Sequence, residues 1–350
     1  MAQTLCGCRS KVLYVKETIL SNAQKYIKGG LKVAAGMAIS MTALMGAGPA
    51  LASDDYPDRA IHVQVGFSPG GATDIVVRTL AEEASKILDV PVVIDNKPGA
   101  GGVMPAQNMQ HAKADGYTTG IVPLSVYRLP YTMKINWDPV DDLEYIIGIT
   151  GYTWGLVVSG DSPINSFEEY VEYAKENPGE ITYGTVGTLS TQHITMEKIS
   201  KLLDIELTHV PYKGVSDAIP ALLGGHIMSV ADASSWVPYV ESGDMKLLVV
   251  WTEDRLDSFP EVPTLQDVGI DMVQTSPWGL AAPKGTPKER VQILHDAFKQ
   301  AMDSPKFLET LKQFDMDIQY MDSEQYRAFA KEAIETESAI LEEMGAEKLQ

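Results

Sequence analysis

Two stretches of this chain set small residues at the start of a helix, an arrangement that suits the binding of an anion. The first is Gly66-Phe67-Ser68-Pro69-Gly70-Gly71-Ala72-Thr73-Asp74. It joins a strand pattern, Ile61 to Phe67, to a helical pattern whose Val76, Val77, Leu80, Ala84, Ile87 and Leu88 share one face. The amides of a helix's first turn have no partner inside the helix, and the dipole adds positive potential there. A carboxylate or phosphate can rest against them. Gly70 and Gly71 are expected to take positive φ and to let a ligand approach without meeting a Cβ. The second stretch is Thr185-Val186-Gly187-Thr188-Leu189-Ser190, between a short strand at Thr182 to Gly184 and a helix from Thr191 to Leu203. One such turn is ordinary, whereas a pair can close on a ligand from both sides.

Other chemistries fit these residues less well. Gly66-Phe67-Ser68-Pro69-Gly70 matches the G-x-S-x-G elbow, which would make Ser68 the nucleophile of a serine hydrolase. In that elbow the residue after the serine donates its amide to the oxyanion, and Pro69 has none to give. The glycine spacing fits neither a dinucleotide fingerprint nor a P-loop. No HExxH or paired histidine spacing points to a metal, and no two carboxylates are spaced for acid–base work. Neither a metal, a cofactor nor a catalytic set is expected. His193 lies in the first turn of the second helix and faces either the cleft or the core. Asp232, closing the strand Ile227 to Asp232, is either an acceptor for a ligand amine or hydroxyl, or a helix cap.

These residues need a scaffold that gathers them. Pro91 to Asp95 reads as a second strand and Asn96 to Gly102 as another glycine turn. Thr118 to Val122 is a third strand, running into Pro123-Leu124-Ser125-Val126-Tyr127-Arg128. Strands alternating with helices imply a parallel sheet whose ligands lie beyond the carboxyl ends of the strands, which collects Ser68, Ser125 and Arg128 at one edge. Arg128 is there either a ligand's counter-ion or a solvated surface arginine. The apolar run Glu144 to Val158, containing Tyr152 and Trp154, crosses into a second lobe, and Trp278 to Ala282 returns to the first. Ser166 with Glu169 makes a capping box. Thr286-Pro287-Lys288-Glu289 opens the first of two C-terminal helices, Lys288 to Asp303 and Glu324 to Glu343. The expected organisation is a first lobe from 53–155 plus 272–350 and a second from 156–271.

Ahead of these lobes, Lys25, Lys28 and Lys32 precede an apolar run over 33–48 and then Ala50-Leu51-Ala52. That is the pattern of a secretory signal peptide over 1–52, cut after Ala52, or of an uncleaved anchor. Both cysteines, Cys6 and Cys8, fall inside it, which leaves the remainder without a disulfide or a thiolate metal site. The 350 residues include 28 Lys and Arg against 47 Asp and Glu, and past Ala52 the balance becomes about 22 against 46. A surface so negative repels nucleic acid and anionic membranes. An anion must then be held by local amides in a closed cleft, where exposed charges are screened.

In order from Tyr56 to the C-terminus, PDRAIHVQVGFSPGGATD, VIDNKPGAGG, ADGYT, NPGEITYGTVG followed by His193, LTHVPYKG and PEVPTLQDVG resemble one family. It is that of the substrate-binding proteins of tripartite tricarboxylate transporters, also called Bug receptors. The resemblance implies an α/β, two-lobed periplasmic binding protein of type II, a Venus flytrap with each lobe a mostly parallel sheet flanked by helices. It implies a monomer in the periplasm that closes on a small organic carboxylate and delivers it to separate membrane permease subunits, with no enzyme activity. A receptor presenting its ligand to a membrane sensor would look the same. Carried over, the first ligand loop falls on Phe67, Ser68, Gly70, Gly71, Ala72, Thr73 and Asp74. The second falls on Thr185, Gly187, Thr188 and Ser190 with His193, and Tyr212 lies near the cleft. The chain departs from the common pattern at Leu124 to Arg128. An arginine there suits a second carboxylate, and Tyr152 with Trp154 suits a flat body, so a di- or tricarboxylate or an aromatic acid is the expected ligand.

Overall fold

The computed structural model describes residues 56–349, and the expected signal peptide lies outside them. Strands β1 (Ile61–Val65), β2 (Val92–Asn96) and β3 (Thr118–Val122) alternate with helices α1 (Ala72–Leu88) and α2 (Met104–Met109). A 3-10 turn over Leu124–Arg128 and the single turn α3 (Leu129–Thr132) lead to β4 (Leu143–Gly151), and β5 (Gly155–Ser159) opens the second sheet. There follow α4 (Phe167–Glu176), β6 (Thr182–Thr185), α5 (Thr191–Leu203), β7 (Thr208–Pro211), α6 (Val215–Leu223), β8 (Ser229–Asp232), α7 (Val237–Ser242) and β9 (Met245–Val250). The chain returns through β10 (Pro277–Pro283), then α8 (Lys288–Met302), α9 (Pro305–Gln313), β11 (Ile318–Met321) and α10 (Ser323–Glu343).

Two sheets result, ordered β11-β4-β10-β3-β1-β2 and β7-β6-β8-β5-β9. The triplets β2-β1-β3 and β7-β6-β8 are parallel, as the strand–helix alternation dictates. The other pairings, through β4, β10 and β11 in one sheet and β5 and β9 in the other, are antiparallel. The expectation of mostly parallel sheets therefore holds for two of the five pairings in the first sheet and two of the four in the second. A parallel neighbour needs a crossover helix, whereas a strand arriving from the other lobe enters directly. Among the described residues no helix is long and apolar enough to cross a membrane.

The chain passes between the sheets at 152–154 and again at 251–276, and aromatic rings fill both passages. The Tyr152 ring lies 5.0 Å from Trp154 and 5.7 Å from Trp278, and Trp154 stacks on Trp251 at 6.1 Å. One buried cluster runs from Val63 and Leu80 through these rings to Val158 and Leu248. The floor of the cleft is thus continuous with both cores, and rings of this size supply much of the burial that holds the lobes in register.

Two helix starts differ from the sequence expectation. Ser166 caps the Glu169 amide, but the Glu169 carboxylate turns to the Asn165 amide at 2.7 Å and leaves the box half made. Thr286 does not cap α8, because its hydroxyl goes to the Pro283 carbonyl at 2.7 Å and Pro287 occupies the cap. A full reciprocal box stands instead at Asp322 and Gln325, heading α10.

Candidate functional site

The starts of α1 and α5 face each other across the cleft. At α1, Gly70 has φ +86 but Gly71 is extended at φ −79, so the backbone angle demands glycine only at the first. Gly71 is small for a second reason: a Cβ there would stand 3.1 Å from Val215 Cγ1 on the opposite wall. Asp74 folds under the loop. Its Oδ2 accepts from the Gly70 amide and from Arg78 Nε, each at 3.0 Å, and its Oδ1 from Asn96 Nδ2 at 2.7 Å. The same Asn96 nitrogen reaches the Phe67 carbonyl at 3.1 Å. With its oxygens so engaged, the Asp74 side chain shapes the loop. The Ala72 amide donates across the cleft to Ser235 Oγ at 3.0 Å. The next amides, of Thr73 and Asp74, have no partner among the described residues.

At α5, Ser190 Oγ accepts from the His193 amide at 3.4 Å, while the amides of Thr191 and Gln192 stay unpaired among the described residues. Between the two helix starts lies a narrow cavity of about 30 Å³. Phe67, Ser68, Gly71, Ala72 and Thr73 line it from the first loop, Ser190, Thr191 and Gln192 from α5, and Tyr152 and Trp154 from the floor. Gly101, Ser125, Val215, Asp232, Ser235 and Ser276 complete most of the wall. No Lys, Arg or His lines it. Its two ionisable groups are Tyr152 and Asp232. Burial pushes the Asp232 carboxyl up to about 6 against the downward pull of the Ala233 and Ser235 amides. The Tyr152 hydroxyl accepts from Thr73 Oγ1 at 3.1 Å and so keeps its own proton to donate. Dipoles and hydroxyls, not cations, are what this cavity offers an anion.

Behind the second loop stands a pair of imidazoles, His193 and His209, with ring centres 4.0 Å apart. His193 Nδ1 accepts from the Leu189 amide at 3.1 Å, and His209 Nε2 lies 2.6 Å from Thr185 Oγ1, which also takes the Gly187 amide at 3.2 Å. Thr185 and His193 therefore brace the loop and do not line the cavity. Burial, and then the neighbouring His193, lowers His209 to about 4, and burial lowers His193 despite Glu197 nearby. Both imidazoles have depressed pKa values in the fold, so their contribution is complete above the unfolded pKa of about 6.5 and falls away in acid, for His209 as pH falls through about 4. Asp232 acts oppositely, its contribution being complete below the usual carboxylate pKa and lost as pH rises through about 6. Between pH 7 and 5 the urea midpoint of His209→Gln is expected to fall less than that of the native chain. Parallel falls would dismiss the imidazole pair as a brace.

Arg128 is placed otherwise than either sequence reading. It is 2% exposed and absent from the cavity wall. Its Nε pairs with Glu337 Oε2 of α10 at 2.5 Å, and its Nη1 reaches across the cleft to the Leu189 carbonyl at 3.3 Å and Thr191 Oγ1 at 3.1 Å. A guanidinium so occupied is a strut between lobes and not a ligand's counter-ion. Gly70 lies outside the main cavity, and Gly187, Thr188 and Tyr212 line a separate depression at its mouth with Lys213. Ser68 Oγ meets Asp217 Oδ2 at 3.4 Å, with no imidazole beside it to serve as base. Sequence reasoning missed Gly101, Thr191, Gln192, Val215, Ser235 and Ser276 as wall residues. Thr191 and Gln192 had a readable signal, since they supply the first amides of the predicted helix.

With this geometry in view, the comparisons are direct. A family profile, "Tripartite tricarboxylate transporter family receptor", matches residues 76–346. A Cupriavidus necator protein described as the UPF0065 protein of the gbd 5′ region is 54% identical over 318 residues, spanning 90% of this chain and 97% of its own. Among solved structures, malate-bound MatC of Rhodopseudomonas palustris has a TM-score of 0.76 at 26% identity, covering 82% of this chain and 100% of its own. An adipate-bound protein of the same organism has a TM-score of 0.78 at 27% identity, covering 84% and 100%. The matched family is one of substrate-binding receptors and not of enzymes. The shared fold, the matched profile and the paired helix starts lead to one conclusion: this chain belongs to the tripartite tricarboxylate transporter receptor family, the Bug receptors.

Proposed function

We propose that this protein captures a small organic carboxylate between its lobes, the first from 53–155 with 272–350 and the second from 156–271, and delivers it to membrane permease subunits. The observation that carries this reading is the convergence of unpaired amides from two helix starts, that of Thr73 with those of Thr191 and Gln192, on a cavity lined by no cation among the described residues. Fixed dipoles in a closed space hold an anion without the desolvation that a buried lysine or arginine would demand. Tyr152 and Trp154 at the floor favour a slender di- or tricarboxylate or a flat aromatic acid, and malate and adipate occupy the two relatives described above. Export after cleavage following Ala52 would place the receptor in the periplasm as a monomer.

Titration calorimetry against carboxylates and their neutral amides tests the reading. Saturable binding of at least one acid, with its amide at least about tenfold weaker and the acid recovered chemically unchanged, is the expected result. Equal affinity for acid and amide would remove the helix starts as the anion site.

A further inference from the structure

Asp232 is the one feature of the cleft that carboxylate capture leaves unused. It closes β8, is 2% exposed and lines the cavity. Its Oδ2 accepts from the Ser235 amide at 2.9 Å, and the Ala233 amide and the Ser235 hydroxyl also stand against the carboxyl, which leaves acceptor capacity toward the cavity. The groups facing it are Tyr152 from the passage after β4, Ala233 and Ser235 from the turn after β8, and the start of α1 beyond Ser235. None is a cation. A solvated acid would be exposed, and a turn cap on the Ser235 amide does not by itself require a carboxyl in the cavity wall.

Its distance from the anion site matters. Ser235, whose amide holds Asp232, is the residue whose hydroxyl takes the first amide of α1 at 3.0 Å. A ligand carboxylate resting on the next amides of α1 therefore has the Asp232 carboxyl as a close neighbour, and two anions so placed in a dry space repel. A hydroxyl or ammonium on the carbon beside the ligand's carboxylate converts that repulsion into a charge-assisted hydrogen bond to the Asp232 carboxyl. We propose that Asp232 is a specificity-determining residue that admits 2-hydroxy or 2-amino acids and rejects their unsubstituted counterparts. The inference rests on carboxylate capture at this cleft and adds which carboxylates.

Calorimetry on chain freed of bound molecules by unfolding and refolding tests this with three matched sets. They are succinate with malate and aspartate, glutarate with 2-hydroxyglutarate and glutamate, and 3-phenylpropionate with phenyllactate and phenylalanine. In at least one set a substituted acid should bind about 30-fold or more tighter than the plain one, because a buried acceptor left unpaired rejects the analogue that lacks the donor. Asp232→Leu should reduce that preference to under about threefold, and Asp232→Asn, which removes the charge but keeps the shape, should strengthen the plain acid by about tenfold. Equal binding of plain and substituted acids by the native chain, or an unchanged ratio in both variants, overturns this inference and leaves carboxylate capture standing. Binding of no acid in any set overturns both.

Discussion

Glu337→Ala is expected to lower the stability of the folded chain by about 3–5 kcal/mol, because it strands a buried guanidinium. Arg128 and Glu337 lie 209 residues apart in sequence and are almost wholly enclosed, with side-chain exposures of 2% and 5%. Burying either charge alone is costly, and the pair is tolerable only because each answers the other at 2.5 Å. Arg128→Ala should cost a similar amount by leaving the carboxylate alone. The pairwise nature of the effect has its own test: Arg128→Met with Glu337→Leu removes both charges and should recover most of the loss. Urea midpoints of the native chain, both single variants and the double variant decide it. Single-variant losses below about 1 kcal/mol, or a double variant no better than the singles, would contradict the strut.

Gly71→Val is expected to weaken ligand binding by at least about 100-fold, or about 2.7 kcal/mol, with little change in folding stability. Gly71 sits at an ordinary φ, so a side chain there does not strain the backbone. The obstacle is across the cleft, where the first added carbon already meets Val215 Cγ1 at 3.1 Å and the valine methyls reach further. Val215 is on the other lobe, so the clash acts on closure and not on the fold of either sheet. Val215→Ala added to a Gly71→Ala chain should restore part of the affinity that Gly71→Ala loses. Gly70→Ala makes the contrast: nothing lies within 4 Å of its added carbon, but at φ +86 it strains the backbone, so it should cost stability. Native-like affinity in Gly71→Val would show that the two walls do not need to meet there.

How far the site was legible in sequence follows from the range of the signals. The turn from Phe67 to Thr73 and the start of α5 were readable because a change from strand to helix periodicity, punctuated by glycine, is a local event. Tyr152 and Trp154 were readable as a flat wall because two large rings in an apolar crossing have few other uses. Arg128 was misread for the opposite reason. Its partner, Glu337, lies on α10, and nothing near Arg128 in the chain announces a carboxylate that folding brings to 2.5 Å. The missed wall residues, Ser235 and Ser276 among them, are small and polar, a type that is common on any loop and acquires meaning only from what stands opposite. The antiparallel part of each sheet went unread because strand order is set by passages between lobes, and those leave no period in the sequence.

The bond from the Ala72 amide to Ser235 has an outcome for residence time. A guest that claims this amide displaces a hydroxyl that serves nearly as well, so the contact is traded and little net free energy is released. Such a seat narrows the gap between loaded and unloaded forms, which keeps the grip modest and dissociation quick.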